Sequence, residues 1–103
     1  MAFSPLDGPA SQDRVAVTTG TVTELKVAAS ALADRQVITV QPVDGNIWVY
    51  FGNGSSTPSA ATVSAKGFKV VKMSKESFEA GERQQLFIVA ESGTVNVTFT
   101  ERA

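Results

Sequence analysis

The 103 residues include no histidine and no cysteine. The usual general base at neutral pH, the imidazole metal ligand and the thiolate nucleophile are therefore all missing. Carboxylates, lysines and hydroxyls remain. No serine stands three residues before a lysine, so a Ser-x-x-Lys dyad is absent. Glu76, Glu79 and Glu82 recur every third residue, a spacing that gathers carboxylates only on a helix, and Gly81 breaks such a helix. They read as solvated surface charges. Asp44-Gly45-Asn46 offers oxygen ligands, but a calcium ion needs about six or more, and the stretch reads first as a turn. Gly52-Asn53-Gly54 has no lysine in position and no following helix of the kind that makes a phosphate loop. These absences argue against an enzyme, and neither a cofactor nor a metal site is expected.

What is left is adhesion. Lys66, Lys69, Lys72 and Lys75 are four of the five lysines. They read either as charges guarding an edge strand against sheet-to-sheet aggregation or as a charged contact with a partner subunit. The acidic residues that follow cancel their field and no series of aromatics is interleaved for base stacking, so nucleic acid is not an expected partner. Trp48 and Tyr50 alternate along one strand face and suit a subunit contact or core position, with sugar stacking as the other reading. A net charge of −1 gives no attraction to an anionic membrane, and no apolar run approaches the roughly 18 residues of a spanning helix.

These side chains need strands to carry them. Residues 36–52, QVITVQPVDGNIWVYFG, read as a hairpin with an Asp44-Gly45 turn. Its register sets Pro42 against Ile47, Val40 against Val49 and Ile38 against Phe51 on an apolar face, with Gln41 beside Trp48 and Thr39 beside Tyr50 on the other. Residues 84–101, QQLFIVAESGTVNVTFTE, read the same way about Ser92-Gly93, pairing Ala90 with Val95, Ile88 with Val97 and Leu86 with Phe99. Residues 14–18, 21–27, 61–65 and 68–74 supply further short strands, 28–34 a connection and 52–60 the longest exposed loop. The expected fold class is all-β, a small antiparallel β-sandwich or jelly roll. Residues 1–13 form an extended N-terminal arm and 14–103 a single domain. The arm has two readings, a free terminus or a strap laid over a neighbouring subunit. Phe3, Pro5, Leu6 and Pro9 are its candidate partner-binding residues; Gln41, Trp48, Tyr50 and Phe87 are those of a sheet face.

Arg35, the run 37–41, the run 47–52, Ala80-Gly81-Glu82 and the closing run 93–99 together resemble small virion proteins of tailed bacteriophages. The resemblance spans residues 35–100 and rests on β-structure motifs. It implies a β-sandwich decoration or cement subunit that binds the major capsid protein on the outside of a phage head, commonly as a homotrimer. The residues alone leave a glycan- or receptor-binding module as the alternative.

Overall fold

Alternation of apolar and polar residues is the organising signal of the chain, and the computed structural model, which describes residues 10–26, 31–54 and 56–103, shows how it is used. One sheet contains β1 (Ala10–Thr18), β8 (Thr94–Arg102), β3 (Val37–Pro42) and β6 (Glu76–Glu79) in that order; the other contains β2 (Thr23–Glu24), β7 (Leu86–Ala90), β4 (Ile47–Phe51) and β5 (Phe68–Val70). All pairings are antiparallel. Every connection except β4 to β5 crosses from one sheet to the other, which is the strand order of a jelly roll. The expected all-β sandwich is therefore the fold.

The core lies between the layers. Ile38 and Val40 of β3, Val95, Val97 and Phe99 of β8, Ile47 and Val49 of β4 and Leu86, Ile88 and Ala90 of β7 are all buried there. Strand β8 is buried at every second residue from Val95 to Glu101, as a sheet with one wet face requires. Strand β7 is buried at all five positions, which means that its sheet is covered on both faces.

The cover is a short helix, α1 (Ala60–Lys66), where the sequence suggests an edge strand over residues 61–65. Seven residues cannot hold a helix by themselves. Here the Ser59 Oγ accepts from the Thr62 N–H at 3.2 Å, Lys66 sits in the last turn, and Val63 is fully buried against Phe87 and Val89, with Trp48, Tyr50 and Ala60 alongside. Gly67 ends the helix in an extended conformation, its N–H donating to the Val63 carbonyl, and nothing larger fits there: a Cβ would lie 2.5 Å from the Val63 carbonyl oxygen and 2.7 Å from that of Val49.

Neither expected hairpin forms. Strands β3 and β4 belong to different sheets, as do β7 and β8, so the Asp44-Gly45 and Ser92-Gly93 stretches are arches that carry the chain across the sandwich. Ile38 and Val40 lie opposite Glu101 and Phe99 of β8, while Val49 and Phe51 lie opposite Ile88 and Leu86 of β7. The physical reason is that an apolar face is satisfied equally by a strand beside it or by a sheet above it. The turn itself supports this reading: a two-residue type I′ turn needs positive φ at both centres, and neither Asp44 nor Gly45 has it. Gly45 is needed for room, since a Cβ would stand 2.5 Å from Val95 Cγ2. Asp44 anchors the arch by accepting from the Asn96 backbone N–H at 2.8 Å and from its side-chain amide at 3.0 Å.

Other boundaries also move. Strand β1 starts at Ala10, inside the stretch assigned to the arm, because residues 10–13 pair with 99–102 of β8. Strand β2 keeps only two residues of the expected 21–27, and β5 only three of 68–74. Glu76 and Glu79, read as solvated charges near a turn, are exposed on β6. Glu82 lies beyond that strand and accepts from the Asp34 N–H at 2.9 Å.

A buried ion pair locks one end of the sandwich. Arg35 Nη1 donates to Glu101 Oε2 at 2.8 Å, with both side chains almost wholly removed from water. The same guanidinium donates to the carbonyls of Ala80, Gly81 and Gln84, and Glu101 Oε2 also accepts from the Leu32 N–H at 3.1 Å. One arginine thus ties the start of β3 to the end of β8 and to the β6–β7 connection.

Candidate interaction surface

The edge of the sandwich where β5 and β6 lie carries an aromatic cluster. Phe51, Phe68 and Phe78 share the inward-facing side of their strands, since they are opposite Leu86, Val49 and Ile38 respectively. Their ring centroids are 5.7 Å apart for Phe51 and Phe78, 6.2 Å for Phe51 and Phe68 and 6.5 Å for Phe68 and Phe78, the first two in edge-to-face arrangements. The cluster plugs the gap between the two sheets, and Phe78 also packs on the main core. The plug is incomplete. Phe68 is 61% exposed and Phe51 37%, and along the β5–β6 connection Val71 and Met73 are 47% and 58% exposed. Met73 has φ +68°, a left-handed conformation unusual for a long side chain. Its N–H donates to the Pro42 carbonyl at 2.7 Å and its carbonyl accepts from Gln41 Nε2 at 3.1 Å. These bonds hold an apolar side chain out in water.

The outer face of the β1–β8–β3–β6 sheet is its polar counterpart. It has a shallow open depression of about 480 Å³ bordered by Gln12, Thr39, Gln41, Lys75, Thr98 and Thr100. Its polar groups largely bond one another. Arg14 Nε donates to Thr98 Oγ1 at 3.1 Å, the Thr39 and Ser77 hydroxyls are 2.8 Å apart, and the Thr100 hydroxyl donates to Gln12 Oε1 at 3.4 Å.

The four residues expected to share one sheet face do not. Gln41 is on this polar face, whereas Trp48, Tyr50 and Phe87 are on the outer face of the opposite sheet, beneath α1. Phe87 is buried there and has no surface to offer a partner. Trp48 is half-buried, with the Lys69 ammonium 5.6 Å from its ring centroid. Phe3, Pro5, Leu6 and Pro9 lie outside the described residues. The signal that could have revealed the helix is the apolar character of Phe87 and Val89 on the supposedly outward side of their strand. Phe51, Phe68 and Phe78 come from three separate strands, and no local spacing links them.

Charge on this side is distributed in short pairs. Lys69, on the edge strand β5, bonds Glu91 at 2.9 Å, and Asn46 Nδ2 donates to the other oxygen of that carboxylate at 2.9 Å. The lysine first and then the asparagine hold the Glu91 carboxyl below its ordinary value. Among the described residues no three His, Cys, Asp or Glu side chains are grouped so as to hold a metal ion, and no helix is long and apolar enough to cross a membrane.

No family model and no curated protein matches the chain. Among solved structures it has a distant likeness to a Bacillus protein from a study of endospore appendages that form a family of disulfide-linked pili, at 13% identity and a TM-score of 0.37, over 99% of this chain and 96% of that one.

Proposed function

We propose that this protein is a non-catalytic structural subunit that works by adhering to other protein subunits, and that its place is on the outside of a tailed-phage head as a decoration subunit contacting the major capsid protein. The observation that carries the adhesive reading is the incomplete aromatic plug at the β5/β6 edge. Phe51 and Phe68 belong to that cluster and Val71 and Met73 follow on the adjoining β5–β6 connection, and exposed large apolar side chains along one edge support a protein contact. A sandwich tied internally by the Arg35–Glu101 pair offers such a border on a rigid frame. The phage assignment rests on the likeness of residues 35–100 to head proteins, and a homotrimer is the assembly that likeness implies. The glycan-binding alternative loses ground, because Lys69 stands over the Trp48 ring and Tyr50 packs with the helix.

Immunogold labelling of particles released by the strain that carries the gene tests the assignment. Label spread over phage heads is expected. Label confined to tails or to cell-surface filaments, or found only on soluble protein, overturns it.

A further inference from the structure

We infer that residues 1–9 of one copy dock along the β5/β6 edge of a second copy, joining subunits head to tail. This deepens the adhesive reading above by naming the partner of the exposed edge.

Three observations converge. First, the segment starts from the opposite border. Ala10 begins β1, the far strand of the β1–β8–β3–β6 sheet, and lies in the row Ala10–Arg102–Val37–Glu79, so three interstrand steps of roughly 4.8 Å separate it from β6. Within one molecule the segment would have to cross the whole sheet. When two copies stand side by side, β1 of one adjoins β6 of the next and no sheet needs to be crossed. At about 3.3 Å per residue, Phe3 reaches roughly 23 Å from Ala10, enough to run the length of a four-residue edge strand.

Second, the edge is built to receive an extended chain. Among the described residues strand β6 pairs only with β3, so within that set its other side has no strand beside it and can take an added chain. Phe51, Phe68 and Phe78 stand beside that side, ready to take apolar side chains.

Third, the segment MAFSPLDGP suits that edge. Phe3 and Leu6 are its large apolar side chains; three residues apart, they fall on opposite faces of an extended chain, so one of them turns toward the Phe51–Phe68–Phe78 cluster. Pro5 and Pro9 are an even number of residues apart, so in an extended chain their missing N–H groups fall on the same side. The opposite side keeps the donors of Ser4, Leu6 and Gly8. Such a strand pairs along one side and does not recruit another strand along the other.

A contact between two different borders is heterologous: it closes into a ring or continues as a filament. Ring closure lets individually weak arm contacts act together.

The test measures the mass of the full chain by light scattering on a sizing column. The wild type should run at a multiple of the 10.8 kDa chain mass. Deleting residues 1–9, or substituting Phe68→Glu, should weaken association ~10-fold or more, and both variants should run as monomers. Phe3→Ser with Leu6→Ser should do the same without touching the described domain. Mixing the arm-deleted protein with Phe68→Glu should restore a heterodimer, because one supplies the edge and the other the arm. A wild type that is monomeric, a variant that keeps the wild-type mass, or a mixture that stays monomeric overturns the inference. Label on phage heads together with any of these results would leave the adhesive role standing and remove only the arm-to-edge contact.

Discussion

Replacing Glu101 by leucine should destabilise the protein by about 3–5 kcal/mol, the cost of leaving one member of a buried ion pair without its partner. The magnitude follows from the geometry: Arg35 Nη1 lies 2.8 Å from Glu101 Oε2, and the side chains are 1% and 0% exposed. Arg35→Met should cost more than Glu101→Leu. It takes the guanidinium away from the buried Glu101 carboxylate and also removes the donor to three carbonyls. Those of Gly81 and Gln84 are partly accessible, but the Ala80 carbonyl is bonded in a buried environment, and an unmet buried acceptor costs about 1–3 kcal/mol. The double variant Arg35→Met with Glu101→Leu removes both charges. It should recover most of the loss, because apolar replacements of a buried pair are often neutral, and settle about 1–3 kcal/mol below the wild type, chiefly for the Ala80 carbonyl, with the half-buried Leu32 N–H, which also loses its acceptor, adding to it. Urea unfolding followed by Trp48 fluorescence gives all three values in a double-mutant cycle. A domain of this size has roughly 5–15 kcal/mol in total, so the single variants remain measurable if cooled. A double variant as stable as the wild type would refute the carbonyl clamp. A loss below about 1 kcal/mol for Glu101→Leu would refute the claim that the charges depend on each other.

Two further outcomes test other parts of the fold. Gly67→Ala should lose about 1–3 kcal/mol through overpacking, since the new methyl meets two backbone carbonyls rather than a yielding side chain; an unchanged urea midpoint would show that α1 can slide. Asp44 is held below its ordinary 3.8 first by the Asn96 backbone N–H and then by the Asn96 side chain. The stability from its ionised form is therefore fully present above about pH 4 and disappears as pH falls through the lower folded value. Midpoints measured from about pH 5 to pH 2 should drop less for Asp44→Asn than for the wild type, and parallel curves would count against this bond as a source of acid sensitivity.

The positions of β3, β4, β7 and β8 and their core-facing sides were legible along the chain, because alternation with period two is a local property: Ile38, Val40, Val49, Ile88, Val97 and Phe99 are all buried where their spacing puts them. So was the fold class, since many short half-apolar strands have few ways other than a sandwich to cover themselves. Pairing was not legible. The same apolar face fits a hairpin and an arch, and Asp44-Gly45, a strong turn signal, occurs here in an arch because Asn96 and Val95 of another strand hold it there. Helix α1 also depended on tertiary context, because its seven residues are stable only with Val63 buried against Phe87 and Val89. The candidate surface lay furthest from local reading. Phe51, Phe68 and Phe78 are far apart in the chain and meet only because β4, β5 and β6 reach the same border of the jelly roll. Residue types and their spacing therefore determined which faces are apolar and which reactive groups are lacking, and three-dimensional packing decided which faces meet and which edge carries the exposed aromatic rings, because burial energy depends on contact area and not on the order of the chain.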